Sequence, residues 1–274
     1  MLGLLHAAAA VNMAALSGIC LFLAVRGSSA LSWEFLTAYP RAMMTEGGVM
    51  PCIVGTFLLS CGSMLLVFPA GVATAVYLHE YSGSSRITRC IRFGISNLAG
   101  VPSIIFGLFG LSFFVTFLGL GVSLMSGMLT LAILTLPVII NTAEESLRRI
   151  PQSWREASLA LGASKWQTIV RIVIPAAFPG MLTGCILGLA RAAGETGAIM
   201  FTAAVYFTPH LPESVFSPVM SLPYHMYVLA TSGTDMDKTL PLQYGTALML
   251  IFLVVGMNLL AILLRDRMQR HGRQ

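Results

Sequence analysis

Residues Val122–Thr142 read VSLMSGMLTLAILTLPVIINT, 21 positions without one charged side chain. The next eight, Ala143–Ile150, reverse that character and carry Glu144, Glu145, Arg148 and Arg149. At 1.5 Å per residue, 21 helical residues cover about 31 Å, the thickness of a bilayer's hydrocarbon core. The stretch therefore reads as a membrane span with a polar segment at one end. Working outward, five more apolar stretches stand out: Leu2–Val25, Val49–Leu78, Phe93–Leu118, Phe178–Ala203 and Leu242–Leu264. The first is too long for a typical signal-peptide core and has no basic residue ahead of it, so it reads as a retained span. Pro69, Pro102, Pro137 and Pro179 fall inside or at the ends of spans, which membrane helices tolerate better than soluble ones.

Composition agrees. Hydrophobic residues make up 56% of the 274 and charged residues only 10%, where soluble domains carry roughly 25%. Mean hydropathy is +0.82. Six spans of about 20 residues use roughly 120, which excludes a soluble enzyme and a large extramembrane domain. The expected fold is all-α integral membrane, a single domain over residues 1–274 with six transmembrane helices. Cys20, Cys52, Cys61 and Cys185 lie in apolar stretches and Cys90 among basic residues; an odd count without CxxC gives neither a disulfide framework nor a zinc pattern. The five histidines, His6, His79, His210, His225 and His271, are scattered, so no metal site is expected.

The net charge of +5 resolves when sorted by side. Segments Leu78–Arg92 and Thr142–Ala177 and the tail after Leu264 hold twelve of the sixteen basic residues and sum to +7. The opposite loops, with Arg26, Arg41 and Lys238 against Glu34, Glu46, Glu213, Asp235 and Asp237, sum to −2. The positive-inside rule makes the three basic segments and both termini cytoplasmic, and no basic tract is left over for nucleic acid.

The 36-residue segment Thr142–Ala177 is too long and too patterned for a plain connector. Ser153-Trp154-Arg155-Glu156 fits a capping box that opens a helix, and Gly162 stands where a left-handed residue would close it. Ser164-Lys165-Trp166-Gln167 fits a second box, opening a helix expected to run through Val173 and stop at Pro175. The result is a helical elbow with Trp154 and Trp166 available for packing. It suits either an amphipathic loop on the membrane surface or a docking element for a partner.

In the fifth span Gly180, Gly184 and Gly188 recur every four residues, continued by Ala192 and Thr196, a stripe that lets another helix approach closely. Arg191 and Glu195 are read as lying near the middle of that span, one turn apart, where an isolated charge costs roughly 3 kcal/mol. Such residues either line a transport path or lock two helices.

Glu156-Ala157-Ser158, then Gly162, then Ile172-Val173-Ile174-Pro175 resembles the EAA loop of ABC importer permeases, with Ser158 and Ile174 departing from the family's Ala and Leu. The segments Ser96–Gly110, Leu136–Ile140, Ala190–Thr196 and Tyr77–Tyr81 resemble the PstA-type permeases of phosphate ABC importers. The likeness runs from about Val49 to Leu264. It implies the type I permease architecture, in which Ser153, Glu156, Ala157, Gly162 and Ser164 form a coupling helix seated in a cleft of a cytoplasmic ATP-binding subunit. It also implies a bacterial inner-membrane location, a second homologous permease subunit, two copies of the ATPase and an external phosphate-binding protein. ATP and Mg belong to the ATPase: this chain has no Gly-x-x-x-x-Gly-Lys-Ser/Thr loop and is expected to bind no cofactor and catalyse nothing. A permease for molybdate, tungstate or sulfate is the close alternative, and an ion-coupled secondary transporter a more distant one.

Overall fold

A computed structural model describes residues 2–41, 44, 46–83, 85–208, 210–232 and 236–271. Asp235 and Arg273, and the side chains of Asp237, Lys238 and Arg270, lie outside what is described. The chain is built from helices α1 (Leu2–Gly27), α2 (Trp33–Thr37), α3 (Met50–Val76), α4 (Arg86–Leu98), α5 (Ser103–Gly110), α6 (Leu124–Arg148), α7 (Gln152–Ala160), α8 (Lys165–Thr168), α9 (Ile174–Gly194), α10 (Leu222–Ser232) and α11 (Met236–His271). A two-residue antiparallel ribbon, Pro40–Arg41 against Glu46–Gly47, interrupts the loop after α2.

Among the described residues, five helices are long and apolar enough to cross a membrane: Gly3–Ala30, Met50–Tyr81, Leu124–Arg148, Lys165–Gly194 and Thr239–Arg267. A sixth crossing exists only if the pair Arg86–Leu98 and Ser103–Phe117 is counted together, and that pair is bent by 104°. The expected span Phe93–Leu118 is therefore made of two helices with a sharp bend between them. The break falls at Ala99–Pro102, where Pro102 biases Val101 away from helical angles and itself takes an extended ψ of 140°.

The expected span Phe178–Ala203 is displaced. Pro175 does not stop the helix that starts at Lys165. The turns at Ile169–Val173 widen to π geometry, with the Ile174 N–H donating to the Ile169 carbonyl, and the helix continues through Pro175 to Gly194. A widened turn gives the proline ring room against the preceding carbonyls, where an α-turn would clash. At the other end, Glu195 leaves the helix with φ −75° and ψ 131°. The stretch to Ala203 is turns, not helix, so Thr196 does not extend the small-residue row. Irregular backbone at membrane depth is tolerated where protein covers it; Ala198, Ile199, Thr202 and Ala203 are 0–2% exposed.

The chain divides into two compact units. The first comprises Met1–Thr56, Val205–Leu211 and Val219–Leu253. Its core joins Phe35, Val49, Cys52, Met220, Leu222, Val228 and Leu229, and the Thr56 hydroxyl accepts from the Leu222 N–H at 2.8 Å. The second comprises Phe57–Ala204, Pro212–Pro218 and Val254–Gln274. Its core gathers Ala75, Val76 and Leu78 from the end of α3, Ile140, Ala143 and Leu147 from α6, and Ile169, Val173, Ala177 and Met181 from the α8–α9 helix. Buried hydroxyls in both units donate within their own helices, Thr130 to the Ser126 carbonyl and Thr246 to that of Leu242 for example, so they can sit in an apolar interior unhydrated.

Candidate coupling elbow and intramembrane ion pair

The elbow forms, although its first turn is built differently from expectation. Helix α7 begins at Gln152, with Pro151 as N-cap and no side-chain cap bond. Ser153 and Glu156 therefore do not make a capping box. Pro151 takes the cap position and leaves Ser153 already inside the helix, where its hydroxyl cannot reach the orphan N–H groups. The end of α7 follows the Schellman pattern: the Gly162 N–H donates to the Leu159 carbonyl and the Ala163 N–H to that of Ser158. Gly162 has φ +83°, the left-handed region that this closure requires. The second box is present. The Ser164 hydroxyl accepts from the Gln167 N–H at 3.3 Å, and the Gln167 side chain accepts from the Ser164 N–H at 2.8 Å. Ser158 and Thr168, both buried, share a hydroxyl bond of 2.9 Å that clamps α7 to α8.

What fixes the elbow to the spans is Arg155, whose pairing the sequence reading did not single out. Its Nη2 lies 2.7 Å and its Nε 3.2 Å from Oε1 of Glu80, at the end of α3's helical path. Nη1 donates to the Ile150 carbonyl at 2.9 Å and Nη2 to that of Leu147 at 3.2 Å. The two side chains are only 11% and 8% exposed. Nearby, Arg92 Nη2 donates to the Leu78 carbonyl and stands 2.9 Å from Oε1 of Glu144, an ion pair whose N–H is not aimed at the oxygen. The ammonium of Lys165 sits 4.8 Å over the Tyr81 ring. A groove of about 410 Å³ lined by Glu80, Arg155, Leu159 and Lys165 opens beside these contacts.

The outer face of the elbow is apolar and uncovered. Leu161 is 89% exposed at its tip, with Leu159, Trp154 and Trp166 at 50–64% around it. Glu156 and Ala157 are also exposed. Burying a leucine side chain is worth roughly 1.5–3 kcal/mol, so covering this face would be favourable.

The glycines of α9 pack against α6. A Cβ at Gly180 would overlap Ser146, one at Gly184 would overlap Thr142, and one at Gly188 would stand 3.0–3.1 Å from Met64 and Ile139. Arg191 is in the last turn of α9 and Glu195 is the first residue beyond it, so the reading of both as mid-helix residues is corrected. Their Nε and Oε1 remain 3.9 Å apart, with side chains 36% and 16% exposed. The stretch after Glu195 meets the N-terminus of α5: a Cβ at Gly107 would lie 2.6 Å from the Gly197 carbonyl, and one at Gly197 would lie 3.2 Å from the Ser103 hydroxyl. The two breaks, Ala99–Pro102 and Glu195–Gly197, thus meet near one place.

Residues 67–274 match the family described as binding-protein-dependent transport system inner membrane component. A probable ABC transporter permease protein, YqgI, of Bacillus subtilis is 34% identical over 265 residues, covering 92% of this chain and 90% of its own. The phosphate transport system permease protein PstA 1 of Mycobacterium tuberculosis is 41% identical over 221 residues, 80% of this chain and 71% of its own. Among solved structures, a bacterial alginate ABC transporter in complex with an alginate-bound periplasmic protein superposes with a TM-score of 0.62 over 98% of this chain and 94% of that one, at 17% identity. A multi-pass helical membrane chain with this elbow belongs to the binding-protein-dependent transport system inner membrane component family.

Proposed function

We propose that this chain is the permease subunit of an ATP-driven importer that carries inorganic phosphate across the bacterial inner membrane by alternating access. The observation that carries the reading is the elbow: a glycine-turned helix pair anchored by Arg155 and presenting bare Leu161, Leu159 and Trp166. In this reading that face seats in a cytoplasmic ATP-binding subunit, present in two copies, which supplies ATP hydrolysis with Mg. A second homologous permease completes the pathway, and a soluble binding protein delivers the anion from outside. Phosphate is supported by the 41% identity to a phosphate transport system permease. Both termini are cytoplasmic in this reading, because the basic residues cluster in the segments on that side.

The chain's own residues divide the work. Ser153, Glu156, Ala157, Gly162 and Ser164 shape or face the docking surface. Gly180, Gly184 and Gly188 hold α9 against α6, making the two move together. Arg191 and Glu195, at the end of α9, line the translocation path. An anion that reaches Arg191 displaces Glu195, which lies just beyond the end of the helix.

Radiolabelled phosphate uptake in cells deleted for this chain, and for any redundant importer, tests the assignment. Uptake should vanish, return with the wild-type gene, and be competed by phosphate more strongly than by molybdate, tungstate or sulfate. Leu161→Asp should abolish it without altering membrane insertion, and Arg191→Ala should lower it at least tenfold. Unchanged phosphate uptake in the deletion defeats the substrate. Normal uptake in a well-inserted Arg191→Ala protein removes the ion pair from the path.

A further inference from the structure

We propose that α4 lies in the plane of the membrane and holds the phosphodiester of an anionic phospholipid in the cleft at its N-terminal end. At 100° per residue Ile87, Ile91 and Leu98 fall within about 40° of one another, with Ile95 beside them. Arg86, Arg89, Arg92 and Ser96 occupy the opposite side, with the 70% exposed Phe93 among them. The apolar face is uncovered: Ile87 is 73% exposed and Ile91 42%. Ile95 alone of the four packs inward, against the core at the ends of α3 and α6.

The depth of α4 follows from its contacts. Arg92, at its middle, donates to the Leu78 carbonyl and pairs with Glu144. Both partners lie within four residues of the ends of their membrane-length helices, Met50–Tyr81 and Leu124–Arg148. The helix is therefore at the membrane rim, and the 104° bend lets it run along the surface while Ser103–Phe117 turns into the membrane, the bent pair still counting as one crossing.

Charge then selects the lipid. From Tyr81 to Ala143 the chain has no Asp or Glu. Arg92 is neutralised by Glu144, while Arg86 and Arg89 are exposed and have no acidic partner among the described residues. A cleft of about 330 Å³ lined by Ser82, Gly83, Ser85, Thr88, Arg89 and Arg92 opens on this side. Hydroxyls and guanidinium groups together are what a phosphate diester accepts hydrogen bonds from. An amphipathic helix with an arginine face and an apolar face binds the boundary between headgroups and acyl chains, more strongly where the lipid is anionic.

The test is native mass spectrometry of the full-length chain released from micelles holding equal amounts of dioleoylphosphatidylglycerol and dioleoylphosphatidylcholine. Wild type should retain the glycerol lipid in preference. A surface arginine is worth about fivefold in affinity for an anionic membrane, so Arg86→Gln with Arg89→Gln should cut the preference about 30-fold. Arg86→Lys with Arg89→Lys should keep most of it, and Arg148→Gln with Arg171→Gln, a change of equal charge elsewhere, should leave it intact. Equal retention of both lipids by wild type overturns the proposal, as does an unchanged ratio in the Arg86/Arg89 variant or an equal drop in the Arg148/Arg171 variant. Displacement of the lipid by millimolar inorganic phosphate would make the cleft a free-anion site and also overturn it. So would an Ile87→Ser, Ile91→Ser chain that keeps its lipid ratio but loses a copurifying second permease, because the apolar face would then belong to a protein.

Discussion

Replacing Arg155 by alanine should release the elbow from the membrane spans while leaving the spans assembled. Both members of the Arg155–Glu80 pair are about nine-tenths buried, and removing one partner of such a pair costs about 3–5 kcal/mol. The two directions of removal are not equal. In Glu80→Gln the guanidinium keeps the Ile150 and Leu147 carbonyls, and the amide oxygen can still accept, so the cost should fall near 2 kcal/mol. In Arg155→Ala the Glu80 carboxylate is left with His79 at 3.9 Å, beyond hydrogen-bond reach, and the cost should be about 3 kcal/mol or more.

The loss should be local, because Arg155 bonds to Glu80, to the Ile150 carbonyl and to the Leu147 carbonyl in the last turn of α6, whereas the core of α3, α6 and α9 is apolar. Hydrogen exchange followed by mass spectrometry on the full-length chain in micelles reads it directly. Amides of residues 152–160 should exchange about a hundredfold faster in Arg155→Ala, with little change in α6. The double variant Glu80→Gln, Arg155→Met should cost less than the two single changes added together, since neither charge is then stranded. High salt should change little, because a buried pair is poorly screened. Unchanged protection over residues 152–160, or a loss spread evenly through α1, α6 and α11, would refute the tether.

Gly184→Ala drives a methyl into Thr142 of α6, and overpacking of this kind costs about 1–3 kcal/mol; a lower unfolding midpoint in detergent, partly recovered by adding Thr142→Ala, is expected. Gly162→Ala meets no neighbour within 4 Å, so its cost is the left-handed backbone alone, about 1–2 kcal/mol. Gly162→Asn should cost less, and faster exchange at Ala163 in the alanine variant would show where the loss occurs. In α10, burial pushes the pKa of His225 down to about 4, with the Thr246 hydroxyl 3.4 Å from its Nδ1. The unfolded chain binds that proton near pH 6.5, so stability is complete above this value and falls as pH drops toward 4. The total loss is about 3 kcal/mol, and a His225→Gln chain whose midpoint falls equally between pH 7 and pH 4 would exclude it as the source.

Much of the fold is legible in the sequence because bilayer physics acts over long windows. Twenty apolar residues cannot hide, and spacing such as Gly180, Gly184 and Gly188 is a helical statement before any contact is known. The departures fall where a helix ends, breaks or fails to end. Pro175 reads as a stop because one-dimensional rules assume α-turns, and the widened turns at Ile169–Val173 obey no such pattern. Glu195 reads as mid-span because hydropathy does not see backbone angles; just beyond its exit from the helix, Gly197 meets Gly107 across 90 residues of chain. Ser153 matches a box whose cap position Pro151 already holds. The Arg155–Glu80 pair spans 75 residues, a separation at which spacing carries no information.

The continuity of the helix from Lys165 to Gly194 changes what the elbow can transmit. Had Pro175 ended the second elbow helix, motion of the docking face would have reached the span only through a flexible joint. Instead a 30-residue helix, about 45 Å long, carries the elbow's second arm directly to the turn that holds Arg191. The first arm is fixed to α3 through Glu80. On the proposed function, a push at Leu161 therefore divides: α8–α9 receives it by covalent helix and α3 by a buried ion pair. Glycine packing ties α6 to α9, so α6 follows the covalent arm. The point most able to yield is then the ion pair. Arg155→Ala should leave ATP hydrolysis by the assembled importer within about threefold of wild type and lower phosphate uptake at least tenfold, an uncoupling measured by running both assays on the same vesicles. Equal loss of both would mean that Arg155 serves docking of the ATPase, and the division of force described here would be wrong.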